Sequence, residues 1–136
     1  MSTSASDGDY YYPEEFELWS KDSSRDNIRR KFIQILQTPP EGVNPDDWDI
    51  PLKTRAAMYG VQIEIELYKK FYSQTLGLSK GYNDRCRSLI FNLSDKKNPR
   101  LKINILGDDI SPYDIANMDP KELASEELKK QRLNQQ

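Results

Sequence analysis

The sequence predicts an all-α protein: a three-helix bundle followed by several short helices. Three observations carry that prediction. Apolar residues recur at three- and four-residue spacing in three long segments. No segment shows the alternation of period two that marks a strand. Near the C-terminus, three proline-led helix starts follow one another closely. A chain of 136 residues suits one domain with a modest core.

The chain opens on residues 1–20, which hold five carboxylates and no Lys or Arg. They are expected to form an acidic, tyrosine-rich extension, partly disordered, ahead of a domain over residues 21–130. Tyr10, Tyr11 and Tyr12, then Phe16, Leu18 and Trp19, are too apolar to stay wet. They either fold back on the domain or form a short linear motif for another surface. The first helix is expected over residues 22–38, where Ile28, Phe32, Ile35 and Leu36 make one apolar stripe. Ser23 with Asp26 resembles a capping box, and Pro39-Pro40 ends the helix, because the residue before a proline avoids helical geometry. Residues 39–51 are an acidic, proline-rich loop. Its Trp48 is either a lid on the core or an exposed binding residue.

Residues 52–76 make the longest helix. Ala56, Gly60, Ile63, Leu67 and Phe71 mark one stripe, and Ala57, Val61, Ile65, Tyr68 and Tyr72 mark its neighbour. Such a broad apolar face suits a central helix touching two others. Gly60 costs about 1 kcal/mol relative to Ala in a helix, so a close neighbour is expected there. Gly77 and Gly81 bracket a turn. In the third helix Tyr82, Cys86, Leu89, Ile90 and Leu93 form the core stripe, and Cys86 reads as a small buried hydrophobe. Asn98-Pro99, Ser111-Pro112 and Asp119-Pro120 then pair favoured N-caps with prolines, starting three short helices. The first ends at Gly107, the second holds Ile115 and Met118, and the third holds Leu123 and Leu128. Residues 131–136 are a polar tail or linker.

Composition narrows the function. There is no histidine and a single cysteine, which excludes an intrachain disulfide and any Cys/His zinc site within these residues. Gly-rich phosphate loops and Gly-x-Ser-x-Gly motifs are missing, so an enzyme has no support. Asp46-Asp47 and Asp108-Asp109 are read as capping and solubilising residues. No stretch approaches a membrane span, no signal peptide opens the chain, and the protein reads as soluble and intracellular. A net charge of −2 argues against a chain coated for nucleic acid.

Positive charge is instead local. Residues 82–102 carry six Lys or Arg against two Asp. On a helical wheel continued through the lysines, Arg85 and Lys96 align on one flank of the core stripe and Arg87 lies on the other. Phe91 points away from the core. Either the third short helix covers Phe91 and the charges are ordinary solvated ones, or arginines ring an apolar protein contact. A nucleic-acid surface is the weaker reading, since the acidic loop and tail would repel phosphates.

These same residues resemble the central domain of transcription elongation factor TFIIS. Tyr82, Arg85, Arg87 and Ser88 match a Tyr-x-x-Arg-x-Arg-Ser pattern. Asn92, Leu93, Asp95, Lys97, Asn98, Pro99 and Leu101 continue it, followed by Ile110 and Pro112. Met118, Glu122, Leu123, Ala124, Ser125, Glu127, Leu128 and Lys129 close it, so that the likeness spans residues 22–132. Gly107-Asp108-Asp109-Ile110 is one residue longer than the family turn. The resemblance implies a monomeric nuclear docking module that binds the jaw region of the largest subunit of RNA polymerase II. It implies Arg85, Arg87 and Lys96 as the contact residues, with Lys97 and Arg100 as helpers, and no catalytic residue, membrane or sequence-specific nucleic acid. No cofactor is expected here. Zinc belongs to a C-terminal ribbon that one cysteine cannot build, so these residues are expected to bind without stimulating transcript cleavage. The alternative parent is a chromatin-associated regulator combining PHD fingers and a SPOC domain.

Overall fold

The computed structural model describes residues 10–40, 42–72 and 80–118, which fold into five α-helices with one 3₁₀ turn and, among the described residues, no strand. α1 spans Ser23–Gln37, α2 Ile50–Tyr72, α3 Lys80–Ser94, α4 Pro99–Leu106 and α5 Pro112–Asn117; the 3₁₀ turn is Pro45–Asp47. Helical structure and helix order match the sequence-based prediction. The extreme N-terminus, the turn at Gly77, and the third short helix and tail expected after Asp119 lie outside the described residues.

Local chemistry moves some boundaries. Asp22, rather than Ser23, caps α1: its carboxylate accepts from the amides of Ser24 and Arg25 at 2.9 and 3.3 Å. Asp26 reaches outward instead and accepts from the Ser20 amide and hydroxyl. α1 ends at Gln37, ahead of the two prolines. α2 starts two residues earlier than expected, because Asp49 accepts from the Leu52 amide at 3.2 Å and Pro51 falls in the first turn, where a missing N–H costs nothing. α5 carries a full capping box between Ser111 and Asp114. Asn98 makes no side-chain cap for α4 and is buried. The turn after α4 uses Asp108 at φ 68°, a left-handed conformation that Asp tolerates better than most residues.

The main core joins Phe32 and Leu36 of α1, Ala56, Ile63 and Leu67 of α2, and Tyr82, Cys86, Leu89 and Leu93 of α3. Leu101, Ile105 and Ile115 from the short helices close it. Trp48 is a lid: it is buried, and its indole N–H donates to the Leu36 carbonyl at 3.0 Å. At Gly60, a Cβ would stand 2.9 Å from Ile33 Cγ1 and 3.0 Å from the Ile33 nitrogen, so the glycine lets α1 pass.

A second apolar cluster forms where Leu18 packs with Ile33 of α1 and Ala57 and Val61 of α2. The aromatic extension therefore folds back. Tyr12 and Trp19 lie 5.7 Å apart, Arg30 stacks over Trp19 at 4.7 Å, and Gln37 exchanges bonds with the Tyr11 backbone.

Glu64 is fully buried on α2. Arg25 binds it through two nitrogens at 2.8 and 3.0 Å, Arg29 at 2.7 Å, and the Tyr82 hydroxyl donates to it at 2.7 Å. One carboxylate thereby ties α1, α2 and α3 together, and it fixes the N-terminal end of α3. Burial, then the hydrogen bond to Glu64, push the Tyr82 phenol well above its ordinary range.

Candidate protein-binding surface

α3 presents two chemically opposite faces. Tyr82, Cys86, Leu89 and Leu93 are buried, while Asp84, Arg87, Phe91 and Ser94 are exposed. Phe91 is 71% exposed, the largest value among the exposed large hydrophobics. It follows Arg87 by one helical turn, so the two side chains are neighbours on that face. Arg87 Nη1 meets Asp84 Oδ1 at 3.2 Å, with the arginine side chain 77% exposed. A pair so open to water holds its partner weakly, about 0.5 kcal/mol or less, and leaves the guanidinium ready to exchange.

The lysines are placed differently from the wheel. α3 stops at Ser94, so Lys96 and Lys97 occupy a turn rather than a helical flank, and Lys96 does not continue the row of Arg85. Asp95 builds this turn: its carboxylate accepts from the Lys97 amide at 2.9 Å, and its carbonyl accepts from the Asn98 amide at 3.0 Å. Pro99 then prevents helix at Asn98. Lys96 and Lys97 stand exposed at the tip, and Arg100 is exposed on the first turn of α4.

Arg85 departs from the group. It is half-buried, and its Nη1 donates to the Ala116 carbonyl at 3.2 Å and to the Met118 carbonyl. It thus satisfies acceptors at the C-terminal end of α5, where a cation is favoured. The structure groups Lys96, Lys97 and Arg100 around the α3–α4 turn, sets Arg87 beside Phe91 one to two turns earlier, and directs Arg85 inward.

Sequence reasoning passed over Lys102, which it counted only as charge. This residue is 8% exposed, and its amine donates to the Thr38 carbonyl at 2.8 Å. Burial pushes it down to about 8 from an ordinary 10.5. Cys86 is not set up as a nucleophile: burial pushes its thiol up to about 12, far from thiolate at neutral pH.

Comparison with known proteins bears on the fold and the family. The family model described as Transcription factor S-II (TFIIS), central domain, matches residues 20–136. Transcription elongation factor A protein 3 of Mus musculus is 39% identical over 108 residues, covering 79% of this chain and 29% of that protein. Human PHD finger protein 3 is 33% identical over 109 residues, covering 80% of this chain and 5% of that protein. The solution structure of the TFIIS domain II of human PHD finger protein 3 superposes with a TM-score of 0.66 at 30% identity, covering 85% of this chain and 89% of that one. The chain spans under a third of the length of these curated relatives. A matching family model over residues 20–136 and a shared helical fold make the chain a member of the TFIIS central-domain family.

Proposed function

We propose that this chain is a docking module for RNA polymerase II, of the kind found in TFIIS-type elongation factors. In this reading it works in the nucleus as a monomer and binds the jaw region of the polymerase's largest subunit. The observation that carries it is the exposed Phe91 set between Arg87 and the cationic α3–α4 turn, on a chain of this family. An aromatic anchor beside arginine, with lysines at the rim, is the composition enriched at protein interfaces. Arg87, Lys96, Lys97 and Arg100 meet an acidic surface, and Arg85 contributes by holding α5 against α3. The module binds rather than catalyses. With one cysteine these residues cannot form a four-cysteine zinc ribbon, so alone they bind without provoking transcript cleavage.

The test is capture of purified RNA polymerase II by the immobilised chain. Arg87→Glu and Lys96→Glu each reduce capture at least ten-fold while the helical melting curve stays in place. Full capture by both variants overturns the proposal.

The similarity to PHD finger protein 3 supports a second reading of the parent: a chromatin-associated regulator with PHD and SPOC domains. Both parents use the same docking surface. Sequencing the complete transcript separates them, since a four-cysteine ribbon marks the first and a SPOC domain the second.

A further inference from the structure

Beside the cationic turn, the ends of α1 and α3 and the start of α4 enclose a cleft of about 320 Å³. Pro39, Pro40, Leu93 and Pro99 give it apolar walls, and Lys96 and Lys102 bring it two cations. We propose that this cleft is a carboxylate-binding pocket that receives one acidic side chain from an extended segment of the protein partner. That the segment belongs to the polymerase rests on the docking reading above; the pocket chemistry does not.

Lys102 carries the argument. Its residue is more than nine-tenths buried, yet among the described residues no carboxylate lies within ion-pair distance of its amine. Of three N–H donors, one is used on the Thr38 carbonyl, itself part of the lining. A buried ammonium is normally matched by an anion, because removing it from water is costly. Here burial alone depresses its basicity, the mark of a cation without a counter-charge. For packing, a methionine would fill the same space at no such penalty.

The remaining lining selects the ligand. Among the described residues Asp95 is the one acidic group of the wall, and its Oδ1 already accepts from the Lys97 amide. Lys96 is exposed at the rim and adds a second positive charge. The three prolines supply flat apolar surface and no N–H donors, which suits the methylene stem of Glu and leaves most oxygens of a phosphate unsatisfied. The volume lies at the small end of ligand pockets and holds one or two residues rather than a cofactor.

The test titrates the isotope-labelled chain at pH 7 with acetyl-Leu-Glu-Leu-amide, acetyl-Leu-Gln-Leu-amide and inorganic phosphate, followed by NMR. The Glu peptide is expected to shift Thr38, Leu93, Lys96 and Lys102, to saturate, and to raise the pH at which the Lys102 amine titrates. The Gln peptide binds at least ten-fold more weakly, and Lys102→Met weakens the Glu peptide by a similar factor. Should that variant not fold, the two peptides on the unaltered chain decide. Equal affinity of the peptides, phosphate binding as tightly as the Glu peptide, or shifts centred elsewhere overturn the pocket. Arg87 lies outside the cleft lining, so the two proposals separate: full polymerase capture by both Arg87→Glu and Lys96→Glu removes the docking reading, and saturable Glu-peptide binding to the unaltered chain leaves the pocket.

Discussion

Single atoms decide much of this molecule's stability. A methyl group at position 60 would meet the backbone of Ile33, which cannot rotate aside. Gly60→Ala is therefore expected to destabilise by about 1–3 kcal/mol in urea melts, although alanine is the better helix former by about 1 kcal/mol. At Glu64 the charge is the essential part. Glu64→Gln leaves Arg25 and Arg29 without their shared counter-ion and is expected to cost about 3–5 kcal/mol, whereas Tyr82→Phe, which removes the hydroxyl bound to Glu64, costs about 1–2 kcal/mol. Lys102 gives a pH signature. Its folded pKa of about 8 lies below the ordinary 10.5, so between those values the unfolded chain holds a proton that the folded chain has released. Stability then rises with pH through that window and is flat below it. Cys86 and Tyr82 act in the opposite direction at alkaline pH, since their pKa values are raised. The clean measurement is the stability of the chain minus that of Lys102→Met, which is expected to become more positive from pH 8 to 10.

At the scale of the element, α3 divides its arginines between two tasks. Arg85 serves α5, and Arg87 faces water. Arg85→Ala removes charged hydrogen bonds from the end of a six-residue helix and is expected to lower stability by about 1.5–3 kcal/mol, with faster amide exchange in α5. Arg87→Ala is expected to leave stability within about 0.5 kcal/mol. Equilibrium unfolding of the two variants distinguishes a structural arginine from a solvent-facing one, although the two stand two residues apart in the same motif.

For the whole molecule, the charge pattern matters more than its sum. The net charge is −2, but the α3–α4 turn gathers Lys96, Lys97 and Arg100, and Arg87 and Phe91 stand exposed earlier on α3. A docking surface built from exposed charges loses strength as salt screens them. Polymerase capture is accordingly expected to fall several-fold between 50 mM and 300 mM salt, and Phe91→Ala to weaken it at every salt concentration. A salt-independent interaction would place the contact on another face.

Periodicity and prolines determined the helices, their order and the core stripes, because each depends on residues within a few positions of one another. The sequence also singled out Gly60, Trp48 and the cationic turn. It did not show that Arg85 turns inward, that Lys96 leaves the helical row, or that Glu64 and Lys102 are buried. Those outcomes depend on what distant segments bring to the same place: the end of α5 for Arg85, two arginines of α1 for Glu64, and the Thr38 carbonyl for Lys102. A charged side chain looks alike in a sequence whether it faces water or a neighbouring helix; only the packing of the helices assigns it a partner.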